Sequence, residues 1–237
     1  MRLSAPVYYL KRKAKLLSRA QEIPLHEALD RIAVLEGFRH WSLLSARVSA
    51  TAAAKKVYGQ YRPGDLTLIG ARPGQGKTLM GVEILAEAIK AGNRGVFFTL
   101  EYTAKNVSDL FREIGVDVAE FGDRFELETS NAISADFIMK RHAAAPHGTV
   151  AVIDYLQLLD QQREKPRLAD QVHALKTFAH DKGLVIVFLS QIDRSYDPSA
   201  KPCPDLSDVR LPNPVDLTLF NKACFLHGGE MQFRLAS

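Results

Sequence analysis

Cysteine is scarce: Cys203 and Cys224 are the only two in 237 residues, which excludes a disulfide-built scaffold and fits a reducing interior. The scarcity also argues against a structural zinc site. Cys224 and His227 have ligand-like spacing, but no second Cys-x-x-Cys or Cys-x-x-His pair completes a set of four. The histidines are scattered and none lies in a His-Glu-x-x-His pattern, which excludes a zinc enzyme of that type. Long apolar runs are missing as well. The longest is Leu184–Leu189, far below the roughly 20 residues of a membrane span. Met1–Ala20 is basic and lacks the sustained apolar core of a secretory signal. These absences lead us to expect a cytoplasmic protein with no membrane partner. What remains, 46% hydrophobic and 24% charged residues, is ordinary globular composition. The length suits one large α/β domain with a small appendage.

Charge is unevenly placed. The net charge is +4, yet residues 1–60 hold eleven Lys/Arg against four Asp/Glu, and the rest of the chain is slightly acidic. A basic arm on an acidic body suits nucleic-acid contact, and equally a solvated helical surface with no such role. The arm reads as helices. Leu10, Ala14 and Leu17 share one helical face, with Lys11, Arg12, Lys13, Lys15 and Arg19 mostly on the others. A second helix follows Pro24, carries Leu25, Ala28, Leu29, Ile32 and Leu35, and ends near Gly37. A third starts near His40 with Trp41, Leu44 and Val48 turned inward. The Glu36-Gly37-Phe38-Arg39 joint permits a helix-turn-helix, but a small three-helix packing module is the better expectation, because short helix–Gly–helix patterns are common. We expect residues 1–52 to form this basic module and residues 53–237 a second domain.

From Gly64 onward, strands alternate with helices, as in a mostly parallel sheet flanked by helices. The expected strands are Leu66–Gly70, Gly95–Leu100, Phe125–Glu128, Thr149–Tyr155 and Leu184–Ser190. Helices are expected over Lys77–Ala91, Ala104–Ile114, Ala135–Ala143 and Leu168–Lys182, with a closing hairpin around Gly228-Gly229.

Between the first strand and the first of these helices lies Ala71-Arg72-Pro73-Gly74-Gln75-Gly76-Lys77-Thr78, a phosphate-binding loop of the Walker A kind. Its glycines let backbone N–H groups converge on a phosphate, and the helix N-terminus adds positive potential. Lys77 suits the β/γ oxygens, and the Thr78 hydroxyl suits magnesium. Ala71 stands where the pattern usually begins with glycine. A second signal is the apolar strand ending in Asp154, a Walker B carboxylate for the magnesium of a bound ATP. Glu101 and Gln191 also end strands, and in α/β sheets the ligand crevice lies beyond those carboxyl ends. There Glu101 can orient or deprotonate the attacking water, and Gln191 can hydrogen-bond the γ-phosphate.

The stretch from Gly64 to Arg210 resembles the ATPase domain of the DnaB-type replicative helicases, within the RecA-like superfamily. The resemblance rests on the phosphate loop, on Phe98-Thr99-Leu100-Glu101, Val152-Ile153-Asp154-Tyr155-Leu156-Gln157 and Leu189-Ser190-Gln191-Ile192-Asp193-Arg194, and on Leu206-Ser207-Asp208-Val209-Arg210. It implies a RecA-like P-loop NTPase fold behind a small all-helical segment. Catalysis would involve Lys77, Glu101 and Gln191, ATP would bind at Ala71–Thr78, and Mg2+ at Thr78 and Asp154. It further implies a homo-oligomeric ring, hexameric in that family, of helicases or helicase-like motors whose loops after Tyr155 and Gln191 face single-stranded DNA.

Three departures qualify the resemblance. The family's own N-terminal domain is replaced by the basic helices. The family's C-terminal Lys-x-Arg pair, whose arginine reaches the neighbouring ATP site, aligns with Lys222-Ala223-Cys224, so Cys224 stands where the arginine is expected. The loop from Asp193 to Asp216 is proline-rich and net acidic, whereas a DNA-gripping loop is normally basic; the short segment with Arg163, Lys165 and Arg167 suits that contact better. An ATP-dependent regulatory or loading protein with weak turnover therefore stands as the alternative, and a small-molecule phosphotransferase as a weaker one.

Overall fold

The computed structural model describes residues 3–160, 166–211 and 213–235. Its chain opens with three helices, α1 (Val7–Gln21), α2 (Leu25–Leu35) and α3 (Trp41–Tyr58). Pro6 and Pro24 precede the first two with φ of −56° and −55°, values the proline ring presets for helix entry. Leu10 and Ala14 of α1, Ala28, Ile32 and Ala33 of α2, and Leu44 of α3 bury one small apolar cluster. Lys11, Arg12, Lys13, Lys15 and Arg19 stay exposed around it. The pair of helices joined at Gly37 is thus part of a three-helix packing, as the apolar spacing predicts.

Helix α3 does not stop at residue 52. Leu44 belongs to the N-terminal cluster, whereas Ala54 and Val57 are fully buried in the core of the larger body. The expected division between residues 52 and 53 falls inside a continuous helix, and α3 links the two cores.

The larger body follows as β1 (Leu66–Ala71), α4 (Lys77–Lys90), β2 (Gly95–Thr99), α5 (Ala104–Glu113), β3 (Phe125–Glu128), α6 (Ala135–Arg141), β4 (Val150–Asp154), α7 (Leu168–Lys182), β5 (Val185–Gln191), β6 (Lys222–His227) and β7 (Glu230–Leu235). The strands form one seven-stranded sheet in the order β3-β2-β4-β5-β1-β6-β7. Every neighbouring pair is parallel except β6–β7. The boundaries expected from the sequence hold to within a residue or two.

The inner strands are apolar on both faces because both faces are covered. Along β5, Val185, Val187 and Leu189 enter the core shared with α3 and α4, while Ile186 and Phe188 enter the core shared with α6 and α7. β4 alternates in the same way: Val150 and Val152 face one core, Ala151 and Ile153 the other. Gly81 brings α4 down onto the sheet; a Cβ there would lie 3.0 Å from Val152 Cγ1. That close approach fixes where α4 begins, and the phosphate loop sits at its start. No helix among the described residues is long and apolar enough to cross a membrane.

Candidate functional site

The loop from Ala71 to Thr78 turns from the end of β1 into the start of α4. Gly74 and Gly76 have φ of +76° and +83°, the left-handed region where a side chain is strained. Both are exposed, with open space where a Cβ would stand. Ala71 is different. It ends β1, fully buried and in register with Gln191 and Leu226. Extended backbone there needs no glycine, so alanine at the first position leaves the turn intact.

Asp154 ends β4, one of the innermost strands, and is fully buried. Its Oδ2 accepts a hydrogen bond from Thr78 Oγ1 at 2.8 Å. Its Oδ1 has no hydrogen-bond partner, and the Lys77 ammonium lies 3.9 Å away. Burial pushes the Asp154 carboxyl above its usual range, while Lys77 and the Thr78 hydroxyl pull it down and Glu101 adds to the rise. The arrangement leaves one buried carboxylate oxygen without a partner, beside a lysine and a hydroxyl.

Glu101 follows β2, whose Thr99 is in register with Asp154. Its side chain is exposed, and its N–H donates to Thr99 Oγ1 at 3.1 Å. It lines a cavity of about 550 Å³ with Tyr102 and Thr129. Gln191 ends β5 beside Ala71. It lines a second cavity, of about 290 Å³, with Arg72, Pro73, Arg194 and Arg210. Arg210 N–H donates to Gln191 O at 2.8 Å, and its guanidinium lies 3.5 Å from Gln191 Oε1. Gln157 amide donates to Arg210 O at 2.6 Å, joining the segment after β4 to the segment after β5. The sheet thus brings Lys77, Thr78, Glu101, Asp154 and Gln191 to one edge.

Arg72 is the loop residue that ties to the segment after β5 while lining the cavity at Gln191. Its guanidinium donates to the carbonyls of Arg194 and Tyr196 and lies 5.2 Å from the Tyr196 ring centroid. Arg194 and Arg210 lie within the motif segments Leu189–Arg194 and Leu206–Arg210 but carry no assigned role in the sequence; here they line the cavity at Gln191. Their only signal is their place in the two segments that follow β5.

The C-terminal strands depart from the family pattern in a further way. Cys224 is fully buried in mid-β6, paired with Ile69, and burial pushes its thiol up to about 12. Lys222 begins β6 at the opposite end of the sheet and forms a buried ion pair with Asp65. Arg234 lies near Asp205, 3.5 Å away. None of the three points at this chain's own phosphate loop. The acidic loop after Gln191 has a structural explanation. Asp193, Asp197, Asp205 and Asp216 each accept from a backbone N–H two residues on, as turn-forming aspartates do. Asp205 is held down to about 2, despite a burial cost, by Lys201 and by the Ser207 hydroxyl and N–H. Of the basic candidates before α7, Arg163 and Lys165 lie outside the described residues, and Arg167 is exposed and paired with Asp170 at 2.9 Å.

Residues 51–203 match a family model described as "ATPase: KaiC". Two curated relatives, both probable plasmid replicative DNA helicases of Chlamydia trachomatis (one from serovar L2), are 27% identical over 178 residues. The match covers 62% of this chain and 39% of each relative, so the chain spans about two-fifths of the curated relatives it matches. Among solved structures, a DnaB-like replicative helicase described with its primase interactions aligns with a TM-score of 0.60 at 19% identity, over 75% of this chain and 53% of that one. A second solved structure, an isolated ATPase domain, aligns with a TM-score of 0.57 at 20% identity, over 70% of each chain. At these identities the likeness shows a shared fold, the RecA-like sheet with its phosphate loop.

Proposed function

This chain belongs to the KaiC ATPase family, and from that premise we propose that it is a cytoplasmic, magnesium-dependent ATPase that works on single-stranded DNA as a ring oligomer, a helicase or helicase-like motor. The observation that carries the reading is the convergence of Lys77, Thr78 and Asp154 at one sheet edge, with Glu101 and Gln191 on the same edge. The DNA and ring parts draw on what the helicase relatives are called and on the exposed basic face of α1. In this reading residues 1–52 act as a basic module and residues 53–237 as the motor body.

The residues present suit magnesium. The ion takes one or two carboxylates and otherwise phosphate and water oxygens; here Asp154 Oδ1 is unpartnered and the Thr78 hydroxyl is adjacent. Held by Thr78 and Asp154, it would offset charge developing on the phosphates. The backbone N–H groups of Gly74–Thr78 bind the phosphate chain, with Lys77 against its β/γ oxygens. Glu101, exposed to solvent, orients and deprotonates the attacking water. Gln191 hydrogen-bonds the γ-phosphate, held in place by Arg210.

The test is ATP turnover with and without single-stranded DNA, on a sample whose oligomeric state is fixed by light scattering. Turnover that rises with DNA in a ring-sized species supports the reading; turnover indifferent to DNA removes the motor. For the basic module, the triple substitution Lys11→Gln/Lys13→Gln/Lys15→Gln should weaken single-stranded DNA binding and flatten its salt dependence. Every lysine–phosphate pairing removed should take roughly 0.7 off the log–log slope, as read by fluorescence anisotropy across a salt series. An unchanged slope would make α1 a packing or docking surface.

A second reading has its own support. Cys224 is buried where the resemblance expects a trans arginine, a group worth roughly 10³–10⁵ in rate. Tyr8, Leu16, Val34, Leu35 and Leu43 are exposed on α1–α3, apolar side chains that a partner protein could cover. An ATP-dependent regulatory or loading protein would show tight ATP binding and negligible turnover even when oligomeric.

A further inference from the structure

A cavity of about 570 Å³ adjoins the phosphate loop on the side away from Gln191, a size within the usual range for small-molecule sites. One wall is α3, where Trp41, Ser45, Ser49 and Ala53 recur every fourth residue along one face. The opposite walls are the loop and first turns of α4, from Gln75 to Glu83, and the β6–β7 turn. We propose that this cavity holds the nucleoside of the bound nucleotide, with the Trp41 indole as the stacking surface for the base. The proposal deepens the ATPase reading above and rests on it.

The two openings beside the loop differ in chemistry, and that difference sets the direction of the ligand. The opening at Gln191 carries three arginines, Arg72, Arg194 and Arg210, and suits the anionic γ end. The opening at α3 is largely apolar, with no lysine or arginine among its described lining residues, and its acidic groups are Glu83, paired with Arg47, and Glu230; it offers phosphate no cation and admits an uncharged base. Gln75 and Gly76 belong both to the phosphate loop and to this cavity, and Leu79 and Met80 follow within the next turn. A triphosphate seated on Gly74–Thr78 with its γ end towards Gln191 therefore runs its other end past Leu79 into the cavity.

Trp41 is built into its place. Its ring packs partly against the N-terminal cluster, and its backbone N–H donates to Asp30 Oδ1 of α2 at 2.7 Å. The facing wall is anchored too: Gly228 N–H donates to Gln75 Oε1 at 2.9 Å, tying the β6–β7 turn to the phosphate loop. A flat base between a fixed indole and the Leu79–Met231 side needs little rearrangement of either wall. Filling the cavity would make the nucleotide a contact shared by the N-terminal helices and the motor body.

Trp41 is the only tryptophan in the chain, so its fluorescence reports on the cavity directly. The full chain is titrated with ATP and, separately, with inorganic tripolyphosphate, following tryptophan emission and calorimetric binding together. ATP should change the emission with the calorimetric affinity, and tripolyphosphate should compete with ATP while leaving the emission unchanged. Trp41→Ala should weaken ATP about tenfold, as loss of one aromatic–base stack does, and leave tripolyphosphate affinity unaltered. Trp41→Phe should restore most of the difference. ATP that binds without changing emission places the nucleoside elsewhere and overturns the proposal while the ATPase reading stands. Equal losses for ATP and tripolyphosphate in Trp41→Ala overturn it as well, making Trp41 structural. Emission that changes with protein concentration and is unresponsive to ATP gives the cavity to a second copy of the chain. No ATP binding by the native protein sinks both readings.

Discussion

Glu101→Gln should lower ATP turnover by about 10²–10⁴-fold, the range for loss of a general base, while ATP affinity stays within a few-fold of the native value. The asymmetry follows from position. Glu101 is exposed beyond the end of β2, and its contact to Thr99 uses its backbone N–H, which glutamine keeps. The substitution thus removes a proton acceptor and leaves the turn in place. Lys77 behaves differently, because its ammonium both faces Asp154 and lies at the loop; Lys77→Ala should reduce ATP binding and turnover together. Measuring single-turnover hydrolysis alongside equilibrium ATP binding separates the two. If Glu101→Gln hydrolyses ATP at the native rate, the base is another group and the role proposed for Glu101 falls.

Arg47→Ala should destabilise the fold by about 3 kcal/mol, the range for stranding one member of a buried ion pair. Glu83 of α4 is 3% exposed, and its Oε1 lies 2.7 Å from Arg47 Nη1 of α3. Burial drives the Glu83 carboxyl above its ordinary range, while Arg47 and the Thr51 hydroxyl oppose the shift. The sign of the pH dependence follows. With its folded pKa raised, Glu83 binds a proton more tightly in the folded state than in the unfolded chain, so its contribution is most favourable at low pH and is lost as pH rises through the folded pKa. Removing Arg47 raises that pKa further and extends the loss upward. The cost of Arg47→Ala should therefore be larger at pH 8 than near pH 5, in chemical denaturation at both. The double substitution Arg47→Met/Glu83→Leu should recover much of the stability, because two apolar groups leave no uncompensated charge. A loss that is small and equal at both pH values would mean that the pair does not hold α3 to α4.

The pair matters beyond stability, because α3 connects the two cores. Leu44 packs with the N-terminal helices, Ala54 and Val57 pack on the sheet, and Arg47 between them grips α4. The same stretch of α3 walls the cavity beside the phosphate loop. Whatever the basic helices bind, they are joined to the phosphate-loop edge by one continuous helix.

The local features of this protein were legible in its amino-acid order. Strands such as Leu184–Leu189 are apolar on both faces, and helices such as α1 carry apolar residues at helical spacing; such periodicities survive without tertiary information. The phosphate loop was legible because its strand, glycines, lysine and helix are contiguous. Asp154, Glu101 and Gln191 could be expected on one edge because each ends or follows a strand and a parallel sheet brings its strand ends together. Contacts between distant segments were decided only by the tertiary structure. Asp65 and Lys222 are 157 positions apart, and neither carries a local sign of its partner. Arg47 and Glu83 look like ordinary surface charges until α3 lies across α4. Trp41 reads as a core residue of a small bundle, and it shares a cavity with the phosphate loop only because the β6–β7 turn and α3 border the same space. Cys224 shows the converse: alignment to a family pattern gives its place in the chain, and only the sheet shows that this place is buried. Periodicity is a property of neighbours along the chain, whereas a cavity or a buried ion pair belongs to surfaces that meet after folding.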